Sequence, residues 1–139
     1  MTIAHIMIRV IDFEASKRFY AVLGLREDAV YAFADFRVCY LVDDAGMKLE
    51  LIENTGRKAP YTHGEGFGNV AFTVADAAAT RERLAAAGAS PGVVKDLPYE
   101  GRLFCRYFHV KDPDGYRVEV IEETAHWAKP QLSMRRPTP

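Results

Sequence analysis

The sequence predicts an α+β fold in which two tandem βαβββ units form a curved mixed sheet around a central cavity. Two internal similarities and one recurring turn predict this fold. Residues 5–25 (HIMIRVIDFEASKRFYAVLGL) align without a gap to residues 69–89 (NVAFTVADAAATRERLAAAGA). Residues 47–54 (MKLELIEN) align in the same way to residues 116–123 (YRVEVIEE). Because such self-similarity records a repeated supersecondary unit, it determines the architecture more firmly than local propensity does.

Each copy begins with a strand and a helix. Apolar residues alternate in IMIRVI and in VAFTVA, as they do in a strand with one buried face. Asp12 and Asp76 then suit the N-cap of a helix, and Gly24 and Gly88 suit the position just after its C-terminus.

Each copy has room for two further strands before its final strand. These are predicted at 30–34, 37–42, 92–95 and 103–110. The sequences DDAG (43–46) and DPDG (112–115) predict the recurring turn, which leads into the final strand of each copy.

These elements predict one domain over residues 1–123, with modules at 2–55 and 66–123. The tail 124–139 lacks periodicity and is expected to be an extended arm or disordered. Its Trp127 is expected to pack back on the domain or on a partner chain.

Composition limits the function classes. A formal net charge of -1 gives no overall electrostatic reason to expect binding to nucleic acid or to an anionic membrane. The N-terminus lacks a signal-peptide pattern, and no apolar run approaches the roughly 20 residues that cross a bilayer. A cytoplasmic protein is therefore expected.

Cys39 and Cys105 lie in apolar runs and are predicted to be buried free thiols.

Strand alternation predicts which side chains carry the chemistry. It places His5 and Arg9 on the face of the first strand that the helix does not cover, and Glu50 and Glu119 on the same face of the two final strands. If the two units curve towards each other, positions 5, 50, 69 and 119 surround one centre. Imidazole and carboxylate groups suit zinc, nickel, iron or manganese, and a buried carboxylate pair is costly without a cation. A strand histidine and a strand glutamate also occur as structural or surface residues, but the recurrence of the glutamate favours a metal site.

The blocks HIMIRVIDFEASKRFYAVLGL, LELIEN, GFGN and DPDGYRVEVIEE resemble those of the glyoxalase I family of the vicinal oxygen chelate superfamily, over about residues 4–123. The resemblance implies a nickel or zinc ion, with manganese, cobalt or iron as alternatives. The implied ligands are His5, Glu50, Asn69 and Glu119. The family has histidine where this chain has Asn69, and because an amide oxygen is a weaker, neutral ligand, the affinity and the identity of the metal stay open. His109, predicted to pair close to Glu119, is a further candidate ligand.

The same resemblance implies isomerisation of the hemithioacetal formed by a 2-oxoaldehyde and glutathione, or of a related thiol adduct. Glu119 is the implied base, with Glu50 as its symmetry mate. Arg9 and Asn54 match the residues that hold the γ-glutamyl part of glutathione in the family. A homodimer is expected, and the site can lie within one chain or between two.

Other functions of the same fold stay open. A metal-free module that binds a small molecule, like the bleomycin-resistance type proteins, is favoured by Asn69 and opposed by the repeated glutamate. An extradiol-type dioxygenase or a fosfomycin-resistance transferase would need histidine at positions 5 and 69 together with Glu119, so Asn69 counts strongly against both. His63 and His126 are expected to be ordinary solvent-exposed side chains.

Overall fold

The computed structural model describes residues 1–124 of the chain. Its elements follow in the order β1 (Ile6–Val10), α1 (Phe13–Val22), β2 (Arg26–Ala32), β3 (Phe36–Val42), β4 (Lys48–Asn54), β5 (Val70–Val74), α2 (Ala77–Ala86), β6 (Lys95–Tyr99), β7 (Arg102–Lys111) and β8 (Arg117–Glu122). The predicted tandem of two βαβββ units is confirmed. The prediction for the tail, including Trp127, lies outside the described residues. Within residues 1–124, no helix is both long and apolar enough to cross a bilayer.

Two predicted strands have different bounds in the structure. β2 begins at Arg26 rather than at residue 30, and β6 covers Lys95–Tyr99 rather than 92–95. Both are edge strands. Edge strands accept charged residues, bulges and proline, since one of their sides does not pair with a neighbour. This explains why the charged start of β2 and Pro98 inside β6 did not resemble strands in the sequence.

Each module carries its own four-stranded mixed sheet. The strand orders are β1-β4-β3-β2 and β5-β8-β7-β6. β1 runs parallel to β4 and β5 runs parallel to β8, and the other neighbours are antiparallel. As a result, β1 and β5 each form an edge of their sheet.

The predicted N-cap residues and the predicted glycines after the two helices are confirmed. The Asp12 carboxylate accepts hydrogen bonds from two backbone N–H groups of the first turn of α1, and the Asp76 carboxylate accepts one from α2. Gly24 and Gly88 follow the helices with φ of 92° and 91°, in the left-handed region that favours glycine.

The two sheets share one hydrophobic core. That core includes helix-facing residues of both final strands, namely Leu49, Leu51, Val118 and Val120. Tyr20 of α1 packs against Phe72 of β5, with ring centroids 6.0 Å apart. Each sheet therefore turns its helix-covered face to the shared core and its other face away from it. Cys39 and Cys105 are buried free thiols, as predicted.

The second turn also joins the modules. The Asp112 carboxylate accepts a hydrogen bond from the Tyr20 hydroxyl at 2.8 Å. Asp114 Oδ1 accepts one from the backbone N–H that follows β1, at 2.9 Å. The Tyr116 hydroxyl donates to the carbonyl of Arg9 at 2.9 Å and accepts from its N–H at 3.2 Å. The DPDGY segment thus links the second sheet to β1 and α1 as well as forming a hairpin.

Candidate active site

The first group of predicted ligands lies on the uncovered face of the first sheet. The strand register sets Tyr40 of β3 and Met7 of β1 on either side of Glu50 of β4. His5 precedes Met7 by two positions and lies beside the same carboxylate, with its Nε2 2.8 Å from Glu50 Oε2. The Tyr40 hydroxyl donates a hydrogen bond to Glu50 Oε1 at 2.9 Å. His5, Glu50 and Tyr40 are called the first half-site below.

Glu50 is the most enclosed group of the first half-site. Its side chain is 12% exposed, against 37% for that of His5. A buried carboxylate needs a partner for each oxygen, and here each oxygen has one. The hydrogen bond to Glu50 raises the pKa of Tyr40, because loss of the hydroxyl proton would place a phenolate against the carboxylate. Tyr40 is therefore a neutral donor at neutral pH.

The second group occupies the equivalent positions of the second sheet. His109 of β7 and Ala71 of β5 lie on either side of Glu119 of β8. Asn69 precedes Ala71 by two positions, and its Nδ2 donates to Glu119 Oε2 at 3.1 Å. His109 Nε2 lies 3.8 Å from Glu119 Oε1, so the predicted pairing of these two residues is confirmed. Asn69, Glu119 and His109 are called the second half-site below.

The surroundings of His109 determine its protonation. Burial lowers the pKa of His109, and the positive charge of Arg117 lowers it further. Arg117 Nη2 lies 3.3 Å from His109 Nδ1. Since a guanidinium can only donate, Nδ1 accepts and the ring proton lies on Nε2. His109 therefore presents an N–H group to Glu119 at neutral pH.

The two half-sites do not meet within one chain. Each lies on the sheet face that points away from the shared core. Within residues 1–124, no group of three or more His, Cys, Asp or Glu side chains could hold a metal ion. The structure therefore brings His5 together with Glu50, and Asn69 together with Glu119, but not the two pairs with each other. A centre with all four ligands would need two copies of the chain.

The predicted substrate-binding residues lie on the same sheet face as the first half-site. The register pairs Arg9 with Ile52, and alternation along β4 puts Glu50, Ile52 and Asn54 on one face. Arg9 is exposed, and its guanidinium makes no ion pair with any other residue in the described part of the chain. Asn54 Nδ2 donates to the Tyr61 hydroxyl at 3.0 Å.

The sequence interpretation missed a second repeated pair of glutamates. Glu53 Oε1 accepts a hydrogen bond from the backbone N–H of Phe13 at 3.2 Å, at the start of α1. Glu122 Oε2 accepts one from the N–H of Ala77 at 3.0 Å, at the start of α2. A carboxylate is favourable at a helix N-terminus, so these glutamates stabilise the fold rather than extend the site. This pair is visible in the sequence, because Glu53 aligns with Glu122 when MKLELIEN is aligned with YRVEVIEE.

The remaining histidines lie outside both half-sites. His63 was expected to be solvent-exposed, but it is half-buried and stacks on Tyr116, with ring centroids 4.1 Å apart. The reason is that the linker between the modules passes over the start of β8. His126 lies outside the described residues.

Comparison with known proteins identifies the family of this chain. The family described as "Glyoxalase/Bleomycin resistance protein/Dioxygenase superfamily" matches residues 2–120. A lactoylglutathione lyase of Haemophilus influenzae is 36% identical over 129 residues, which cover 88% of this chain and 93% of that protein.

Solved structures show the same fold. A trypanothione-dependent glyoxalase I of Leishmania major matches with a TM-score of 0.72 and 26% identity, over 88% of this chain and 87% of that one. Glyoxalase I of Zea mays matches with a TM-score of 0.76 and 23% identity, over 86% of this chain and 44% of that one. The maize protein supports the fold alone.

Proposed function

We propose, since this chain belongs to the glyoxalase/bleomycin resistance protein/dioxygenase superfamily, that it is a glyoxalase I-like lyase. Its substrate is the hemithioacetal of a 2-oxoaldehyde and glutathione, or a related thiol adduct. The lactoylglutathione lyase relative, matched over nearly its whole length, supports this proposal. The proposal depends mainly on one repeated geometry. Glu50 and Glu119 each face a predicted metal ligand, His5 or Asn69, that lies just before the first strand of its module.

The donor groups of the half-sites fit a divalent metal ion. They comprise one imidazole nitrogen from His5, two carboxylates from Glu50 and Glu119, and the amide oxygen of Asn69, whose Nδ2 is the atom that faces Glu119. Such mixed nitrogen and oxygen donors suit nickel, zinc, cobalt, iron or manganese. Because an amide oxygen replaces a second imidazole nitrogen, we expect the site to favour those of these metal ions that bind oxygen well, such as manganese.

The proposed site is shared by two copies of the chain, so the protein acts as a homodimer. β1 and β5 are edge strands, and they adjoin the first and the second half-site, respectively. Ile6 and Met7 of β1 are exposed. Native proteins cover or protect such edges. If β1 of one copy lies beside β5 of the other, both edges are covered and two complete sites form per dimer.

Glu119 is proposed as the base that moves the proton. A bound metal ion would act as a Lewis acid that stabilises negative charge on the vicinal substrate oxygens. Glu119 takes the proton from one carbon and returns it to the adjacent carbon, so that substrate and product are isomers. Its side chain is 24% exposed, against 12% for Glu50, and the 3.8 Å approach of His109 is too long for a direct hydrogen bond. Glu119 is thus the less restrained carboxylate, and Glu50 is the fixed one.

Arg9 and Asn54 are proposed to hold the thiol part of the substrate. The Arg9 guanidinium has no ion-pair partner among residues 1–124 and can bind a carboxylate through two N–H groups. Asn54 offers an amide farther along the same sheet face. Both groups suit the carboxylate and amide groups of glutathione.

Metal analysis of the purified protein, together with a hemithioacetal isomerisation assay, tests the proposed function. We expect turnover that is lost with a chelator and restored by nickel, zinc, cobalt or manganese. Glu119→Gln should lower kcat by a factor of about 10² or more, because the base is lost. Glu82→Gln, at an exposed position of α2, is the matched control and should leave kcat unchanged.

Two outcomes would contradict this proposal. Bound metal without turnover would point to a lyase for another substrate. The absence of both metal and turnover would favour a metal-free protein that binds a small molecule. One observation favours that second function: the Asn69 amide already satisfies one Glu119 oxygen without a cation.

A further inference from the structure

Tyr40 and His109 occupy the same position of the repeat. In the first sheet Tyr40 lies opposite Glu50, and in the second sheet His109 lies opposite Glu119, each across an antiparallel strand pair. The equivalence follows from the strand register, since each residue lies on the third strand of its module, directly opposite the repeated glutamate of the fourth.

The two carboxylates have neighbours in the same arrangement, although only Tyr40 is within hydrogen-bond distance of its glutamate. In the first half-site, Oε1 of the glutamate faces the hydroxyl of Tyr40 and Oε2 faces His5. In the second half-site, Oε1 faces the ring of His109 and Oε2 faces Asn69. In both sheets, a side chain of the third strand faces Oε1 of the glutamate, and Oε2 faces the predicted ligand that lies just before the first strand.

We propose that Tyr40 and His109 are positioning residues, which orient Glu50 and Glu119 so that each presents Oε2 to the metal and the substrate. This inference rests on the proposed function and adds two residues to it. Neither Tyr40 nor His109 needs to touch the metal ion or the substrate for this role.

The surroundings of Tyr40 suit a fixed donor. Tyr31 contacts its ring edge-on, with centroids 6.3 Å apart, and the ring of His5 lies 5.8 Å away. Lys48 Nζ lies 5.6 Å from the ring centroid, in a cation–π arrangement. Since the ring has neighbours on several sides, its hydroxyl has a defined direction towards Glu50.

His109 is held as well, but it restrains its glutamate less. Tyr107 contacts its ring edge-on, with centroids 5.4 Å apart, and Arg117 contacts Nδ1. The ring N–H faces Glu119 across 3.8 Å, whereas the Tyr40 hydroxyl reaches Glu50 at 2.9 Å. Tyr40 should therefore act mainly on metal retention through the fixed carboxylate. His109 should act mainly on kcat through the carboxylate that moves the proton.

The repeat itself supplies the exchange variants that test these roles. Tyr40→Phe removes only the hydroxyl, and Tyr40→His installs the donor of the other half. His109→Phe removes the donor, and His109→Tyr installs the hydroxyl. Tyr99→Phe, at an exposed position of β6, is the matched control.

The measurements on the full-length protein are metal affinity, by competition with a chromogenic chelator, and kcat and KM. Tyr40→Phe should weaken metal binding by about tenfold or more, as loss of a partner that orients a ligand does, and Tyr40→His should retain more affinity than Tyr40→Phe. His109→Phe should lower kcat by about tenfold with KM unchanged, and His109→Tyr should retain more kcat than His109→Phe. The control should match the wild type.

The proposal is overturned if both Phe variants match the wild type, or if the exchange variants behave no better than the Phe variants. Crystal structures of the metal-free Phe variants provide a separate measurement. Carboxylates of Glu50 and Glu119 that keep their orientation without the donor would also overturn it. If the wild type neither binds metal nor turns over the hemithioacetal, the proposed function fails, and these carboxylate orientations still decide the positioning role.

Discussion

At position 69 the side chain that faces Glu119 is an amide rather than an imidazole. Asn69 donates to the carboxylate through Nδ2, so the pair is satisfied without a cation. The equivalent pair, His5 and Glu50, combines an imidazole with a carboxylate. The two halves of the proposed centre therefore differ in ligand strength, with the weaker donor beside Glu119.

Asn69→His should raise metal affinity by about tenfold or more, because an imidazole nitrogen binds nickel, cobalt or zinc more tightly than a neutral amide oxygen does. Competition with a chromogenic chelator measures the change. Ala85→His, which adds a histidine at an exposed position of α2, controls for binding to a new surface histidine. An unchanged affinity in Asn69→His would count against position 69 as a ligand.

At the scale of the element, the turn before β8 has two roles. It reverses the chain, which its DPDG sequence predicted, and it carries polar contacts to the first module, which the sequence did not reveal. Asp112 is 5% exposed and accepts a hydrogen bond from Tyr20. Burial raises the pKa of Asp112, although hydrogen bonds from Tyr20 and from backbone N–H groups oppose the shift.

This raised pKa predicts how stability depends on pH. Since the folded state holds the proton more tightly than the unfolded state, the stabilising contribution of the protonated group is full below the unfolded pKa, near 3.8. It is lost as pH rises through the folded pKa. Asp112→Asn stays neutral and can still bond Tyr20, so the free energy of unfolding of the variant, relative to the wild type, should rise from pH 4 to pH 7.

Urea unfolding at several pH values measures this difference. Asp35→Asn, at an exposed position between β2 and β3, is the control and should show no comparable trend. A difference between Asp112→Asn and the wild type that is constant over this range would show that the carboxyl does not titrate differently in the folded and unfolded states.

At the scale of the whole molecule, the shared core decides where the chemistry can occur. Both sheets direct their helix-covered faces into that core, so the half-sites lie on faces that point away from it. The duplicated chain therefore carries both halves of the proposed centre without assembling them. A dimer that sets the first half-site of one copy against the second half-site of the other would assemble the centre twice.

Mixing two inactive variants tests this shared site. Glu50→Gln and Glu119→Gln should each have low activity alone. In a mixed dimer, one site carries both substitutions and the other carries neither. Random re-pairing of equal amounts should therefore restore about one quarter of the wild-type activity. Glu119→Gln mixed with Glu119→Ala is the control and should restore none. A mixture of Glu50→Gln and Glu119→Gln that stays inactive would place the site within one chain or exclude the dimer.

Features that depend on near neighbours in the chain could be predicted from the amino-acid sequence alone. The repeat, the strand and helix of each copy, the Asp12 and Asp76 caps and the face that carries Glu50 and Glu119 all follow from local periodicity and from local hydrogen bonds. Family resemblance then implied a metal, a base and a substrate class, and these stay predictions. The bounds of β2 and β6 were less predictable, because an edge strand need not be apolar.

The surfaces that pack against each other could be identified only from the folded structure. Alternation shows that a face is buried, but it does not show which distant surface buries it. The register that places Tyr40 and His109 against the two glutamates, and the packing that turns both half-sites away from one core, depend on contacts between residues far apart in the chain. For that reason, the sequence could suggest four candidate ligand positions but not that one chain holds them as two separate pairs.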